Sequence, residues 1–210
     1  MRLFAVIIIN LLLLDLFCSS EAAWWRRRRR RRRCHAPSTS TIKWSNTWDH
    51  EFTFTCPPGQ AMTEFRSMYS NCHWDRVFRF KCKKNIVAKG RCHWSHYVNN
   101  FDDPIAFKCP LSGFITGISS KHDNHYEDRR FRFRCCKDHR YHRHHCTSNS
   151  DYVNDWKQPF NFKAPKNHFL VGAFSYHINS QEDRRWKFET CKVARNSHGW
   201  WSRHRKAKNG

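Results

Sequence analysis

Asp75-Arg76-Val77-Phe78-Arg79-Phe80, Asp128-Arg129-Arg130-Phe131-Arg132-Phe133 and Asp183-Arg184-Arg185-Trp186-Lys187-Phe188 are one phrase written three times, 53 and 55 residues apart. A fixed period of this size marks one supersecondary unit used repeatedly. Each phrase has an upstream partner at constant offset: Trp48, Phe52, Phe54, Cys56, Pro57, then Phe101, Ile105, Phe107, Cys109, Pro110, then Trp156, Phe160, Phe162, Ala164, Pro165. The units 48–82, 101–135 and 156–190 align without a gap. Within them the period is two. Phe52, Phe54 and Cys56 share one parity, as do Phe78, Phe80 and Cys82, and Thr53, Thr55, Arg79 and Lys81 fall between them. Residues i, i+2 and i+4 line one face of a strand. Each unit therefore reads as short antiparallel strands with apolar faces turned inward. The expected fold is all-β, disulfide-stapled, with three repeats in pseudo-threefold symmetry; a trefoil and a three-sheet prism both satisfy the pattern.

The rest of the chain divides around these units. Residues 1–20 read as a secretory signal: Arg2, the apolar run Leu3 to Leu14, then small residues. That run is short for a bilayer span. Residues 21–43 form a basic segment, 44–193 the three-unit domain, and 194–210 a basic aromatic tail. A secreted, extracellular product follows, and disulfides are then permitted.

Ten cysteines remain once Cys18 is set aside with the signal. Repeat symmetry pairs Cys56 with Cys82 and Cys109 with Cys135. The third unit carries Ala164 at the matching place, so Cys191 is assigned to Cys146, which leaves Cys92 for Cys136. Cys34 and Cys72 are either paired together or free, and the adjacent Cys135 and Cys136 could exchange partners, because connectivity does not follow from sequence alone. No paired C-x-x-C spacing occurs, so no metal is assigned to the thiols.

The formal net charge is +22, and residues 34–210 alone carry 30 basic and 15 acidic side chains. A secreted protein this basic meets polyanions: sulfated or sialylated glycans, proteoglycans and anionic cell surfaces. Arg26 to Arg33 is an unbroken arginine run. It reads as a processing site, as a polyanion-binding arm or as a solvated tail. His139-Arg140-Tyr141-His142-Arg143-His144-His145-Cys146 reads as a solvated basic linker, with Zn²⁺ or Cu²⁺ binding as the sharper alternative. The tail, with Trp200, Trp201, Arg203, Arg205 and Lys206, offers peripheral membrane contact or stacking on sugars, against a frayed terminus.

In the repeated phrase the Asp reads as a turn residue accepting backbone N–H bonds, and the Arg as the partner of a neighbouring acid. Arg76, Arg129 and Arg184 are also candidates for equivalent polyanion contacts. No glycine-rich phosphate loop, G-x-S-x-G or H-E-x-x-H occurs. No catalytic residue, cofactor or enzymatic activity is assigned, and the signal weighs against a nucleic-acid partner. The oligomeric state is not legible.

The phrase Asp-Arg-x-Trp/Phe-x-Phe followed by Cys, with the upstream Phe-x-x-x-Cys-Pro, resembles the dermatopontin family over about residues 44–193. Cys135-Cys136 followed ten residues later by Cys146, and the run Asp183 to Cys191, agree with it. The resemblance implies a non-enzymatic extracellular protein. Vertebrate members of that family are matrix proteins that bind proteoglycan and support cell adhesion. Invertebrate members include agglutinating factors, shell-matrix proteins and a fire-coral cytotoxin. The chain departs from the family at one late disulfide, whose positions correspond to His142 and His198, and in its arginine run.

Overall fold

The computed structural model describes residues 36–196. Residues 1–20, read above as a signal, and Arg26, Arg33, Cys34, His198, Arg203, Arg205 and Lys206 lie outside the described residues. The chain divides into a main body, to which residues 38–70 and 74–196 belong, and a small unit that includes Asn71 to His73. Cys72, in the small unit, is disulfide-bonded.

The body is all-β, and each quoted phrase opens a strand. The strands are β1 (Phe52–Thr55), β2 (Gln60–Ser70), β3 (Asp75–Lys84), β4 (Arg91–Trp94), β5 (Ile105–Lys108), β6 (Phe114–Asp123), β7 (Asp128–Lys137), β8 (Tyr141–Ser148), β9 (Phe160–Lys163), β10 (Phe169–Ile178) and β11 (Asp183–Arg195). They form sheets of order β3-β2-β9, β1-β6-β7-β4 and β5-β10-β11-β8. Period-two burial holds along the phrases: in β7, Phe131, Phe133 and Cys135 are buried while Arg130, Arg132 and Arg134 are half-exposed.

The leading strand of each unit abandons its own hairpin. β1 pairs with β6 of the second unit, β5 with β10 of the third, and β9 with β2 of the first. Parity cannot reveal this, because the apolar face of β1 is the same whichever hairpin receives it. Where the sheets meet, Phe78, Phe131 and Trp186, all at the fourth position of the phrase, pack on one another with ring centroids 5.2–6.5 Å apart. All three are at most 1 % exposed, and burying a side chain of this size contributes roughly 1.5–3 kcal/mol. Each hairpin is bulged at the same place, between Met62 and Glu64, Ile115 and Gly117, and Leu170 and Gly172. Gly117 is required there, since a Cβ would lie 2.8 Å from the Phe54 carbonyl oxygen.

Four disulfides are formed among the described residues, of two kinds. Cys56–Cys82 and Cys109–Cys135 join the end of a leading strand to a strand in a different sheet. Cys92–Cys136 and Cys146–Cys191 tie the outer strands β4 and β8 to their neighbours. At the third inter-sheet position Ala164 stands where the other units have cysteine. Its N–H donates to the Thr63 carbonyl as those of Cys56 and Cys109 donate to Thr116 and Val171. Thr190 occupies the position matching Cys82 and Cys135. Ala164→Cys with Thr190→Cys is therefore expected to close a further bridge and add ~2–4 kcal/mol. Intact mass and thermal unfolding check this.

The segment read from sequence as a linker, His139 to Cys146, is mostly strand β8. It lacks an apolar alternation, and three other things hold it: the ladder to β11, the Cys146–Cys191 bridge, and Arg143, whose guanidinium donates to the carbonyls of Gly113 and Cys109.

Candidate functional site

The repeated Asp-Arg pair builds a closed set of buried ion pairs. Arg129 donates through Nε and Nη2 to Asp75, at 2.6 and 2.7 Å. Arg184 does the same to Asp128, at 2.7 and 2.6 Å, and Arg76 to Asp183, at 2.6 and 2.8 Å. Each arginine thus grips the aspartate of the preceding unit, and the first unit's arginine grips the third unit's aspartate. The fork-on-carboxylate geometry is the strong form of this pair. Each Nη2 also donates to a backbone carbonyl, of Gln158, His50 or Asp103. Each carboxylate accepts a backbone N–H, from Asp49, Asp102 or Lys157. Those three residues hold φ of 63–64°, a left-handed conformation that most side chains avoid.

Burial alone would raise the Asp75 carboxyl. The Arg129 charge and hydrogen bonds, then His122 and the Asp49 N–H, outweigh it and hold it below the ordinary carboxylate value. Beside these pairs, Tyr69, His122 and His177 occupy matching positions. Burial, helped by Asp183, pushes the Tyr69 phenol far up. Asp49, Asp75 and His122 come together, as do Asp102, Asp128 and His177. Neither group suits a metal ion, because Asp75 and Asp128 already carry a guanidinium across both oxygens.

Arg76, Arg129 and Arg184 are 3–4 % exposed. The structure brings them together inside the fold and withholds them from large ligands. Other cations face outward, among them the alternate residues of the same phrases. Arg130 stacks on Tyr97 with its guanidinium carbon 4.7 Å from the ring centre, and Arg132 on Trp94 at 5.3 Å. In the third unit Arg185 stacks on Tyr152 at 4.7 Å, and the Lys187 ammonium lies 4.5 Å from the same ring. In the first unit Arg66 lies over Trp44. Trp44, Tyr97 and Tyr152 stand 53 and 55 residues apart.

Sequence reasoning missed Asn46, Asn99 and Asn154, which lie just upstream of the aligned units. Each side-chain oxygen accepts the N–H of the residue at the phrase's fourth position, and each Nδ2 donates to the arginine carbonyl. The signal was available, since the three share the offsets 53 and 55. Asn99→Ala strands the Phe131 N–H and Arg129 C=O in the core, at a cost of ~1–3 kcal/mol for each orphaned group. Urea unfolding with the disulfides intact measures it.

These features define a cystine-stapled all-β domain whose recurrent charged pairs act as internal framework, with cations stacked on aromatic rings outside. The chain belongs to the dermatopontin family: the family pattern described as Dermatopontin matches residues 46–195. The hemagglutinin/amebocyte aggregation factor of Limulus polyphemus is 36 % identical over 160 residues, covering 74 % of this chain and 90 % of the relative. Millepora cytotoxin-1 of Millepora dichotoma is 36 % identical over 159 residues, covering 70 % of this chain and 65 % of the relative. The dermatopontin of Biomphalaria glabrata is 38 % identical over 141 residues, 67 % of this chain and 94 % of the relative. No solved structure matches the chain.

Proposed function

We propose that the protein is secreted and, without catalysing a reaction, attaches to anionic glycans of matrices or cell surfaces through its outward cations. The observation that carries this reading is the outward row Arg130–Arg132, with its counterpart Arg185–Lys187, half-buried on Trp94, Tyr97, Tyr152 and Trp156. A guanidinium stacked on a ring keeps its charge but loses rotamer freedom, so a sulfate or carboxylate meets a preset donor. The net charge of +22 draws polyanions from a distance. We further read the recurring exchange of leading strands and ion pairs as a pseudo-threefold arrangement, which sets such patches on several faces. Several weak contacts on one chain then sum to firm attachment.

The test is retention on immobilised heparin. The purified protein is expected to bind at physiological salt and elute as salt rises, because exposed ion pairs are screened. Passage through the column at low salt contradicts the proposal. A second reading, agglutinin or cytotoxin, is favoured by the names of the Limulus and Millepora relatives. Mixing with erythrocytes separates these roles: clumped intact cells mark an agglutinin, and haemoglobin release marks a cytotoxin.

A further inference from the structure

Strand β8 presents three imidazoles at one sheet edge, with spacing His142-x-His144-His145. Arg143 turns to the other face, where its hydrogen bonds to Gly113 and Cys109 pin the strand. His142 and His144 therefore share a face. His145 would normally point away, but its φ of 42° and the register shift opposite Thr190 and Lys192 turn it back. Its ring stacks on His144 with centroids 3.7 Å apart, and the His142 and His144 rings are 6.4 Å apart. His168, itself buried, holds this bulge through a 3.0 Å contact between Nε2 and the His145 carbonyl.

The proton on His142 is assigned by its neighbours. Asn196 Nδ2 donates to the His139 carbonyl at 2.6 Å, which aims Asn196 Oδ1 at His142 Nδ1, also 2.6 Å away. An amide oxygen only accepts, so Nδ1 carries the hydrogen and Nε2 keeps its lone pair. This is the outer support that metal-ligating histidines ordinarily have. Backbone bonding from Asn196 N–H to the Arg140 carbonyl keeps that support in place. His144 and His145 are exposed, so their rings can turn about their own bonds to converge with His142 on one ion. Neutral imidazoles select borderline and soft divalent ions over Ca²⁺ or Mg²⁺. Lys192, opposite His144 in register, opposes a cation.

We propose that His142, His144 and His145 form a surface site for one divalent transition-metal ion such as Zn²⁺ or Cu²⁺, with Asn196 as a positioning residue. The site is independent of the glycan reading.

Isothermal titration of the full chain with Zn²⁺, and electron paramagnetic resonance with Cu²⁺, test it. The wild type is expected to take up one tight equivalent, with nitrogen hyperfine structure on copper. His142→Ala/His144→Ala/His145→Ala is expected to lose that equivalent while circular dichroism and intact mass show the same disulfide-bonded fold. Asn196→Ala is expected to weaken binding about tenfold, whereas Asn196→Asp, which still accepts from Nδ1, retains it. Absence of the tight equivalent in the wild type, or its survival in the triple variant, overturns the proposal. Equal affinities in Asn196→Ala and Asn196→Asp remove Asn196 from it.

Discussion

Arg129→Ala is expected to destabilise the folded domain by ~3–5 kcal/mol, because it leaves the Asp75 carboxylate buried beside an empty partner position. That is a large part of the 5–15 kcal/mol typical of a domain. Arg129 spans two units: its guanidinium joins Asp75 of the first to its own strand in the second, and also holds the His50 carbonyl. Arg129→Lys recovers little, since one ammonium cannot replace both Nε and Nη2 on the same carboxylate. The pH dependence supplies an internal check. In the wild type Asp75 titrates below its unfolded value of 3.8. Its contribution is present above that value and is lost as pH falls through the lower folded value. In Arg129→Ala burial is no longer opposed by the guanidinium, and the carboxyl titrates high. The variant's deficit should therefore be greatest near neutrality and shrink towards pH ~3. Denaturant unfolding of both proteins across that range, with disulfides intact, measures it. A pH-independent deficit would remove Asp75 from the explanation.

The second large effect is on binding. Arg130→Ser/Arg132→Ser/Arg185→Ser/Lys187→Ser removes outward cations and leaves the three buried Asp–Arg pairs intact, giving up only the exposed Arg185–Asp155 contact. These side chains stack on rings at the surface, so their loss costs packing on the order of 0.5–1 kcal/mol each and the fold survives. Retention on heparin is expected to fall sharply. By the counterion-release arithmetic known for nucleic acids, each contact removed lowers the dependence of log affinity on log salt by about one. The two experiments divide the phrase by parity: the second residue, turned inward, governs stability, and its outward neighbours govern attachment.

That division shows what the sequence could carry. Alternation in Phe78, Arg79 and Phe80 reports which side chains turn inward, so the strands were legible from it. The Arg was legible as an ion-pair partner and the Asp as an acceptor of a backbone N–H, but the Asp opens a strand and its donor lies 26 residues upstream, not in a turn of its own. Which acid each arginine meets was not legible, because a repeat period states likeness between units and is silent on which units touch. The same silence hid the exchange of β1, β5 and β9 between hairpins. Strand β8 was hidden for a different reason. Its apolar alternation is absent, and a disulfide and one arginine supply what burial supplies elsewhere. Asn46, Asn99 and Asn154 were hidden only by where the aligned window began. The second reading of Arg76, Arg129 and Arg184, as polyanion contacts, stayed open beside the ion-pair one because charge in sequence does not distinguish a solvated cation from one buried against a carboxylate.

The claim that the outward cations attach the protein to sulfated glycans is tested most directly by the salt dependence of heparin affinity, measured side by side for the wild type and the four-site outward variant. The account predicts tight, steeply salt-dependent binding by the wild type and a weaker, shallower dependence for the variant at unchanged unfolding free energy apart from the small packing loss. Equal affinities and equal slopes for the two proteins would contradict it.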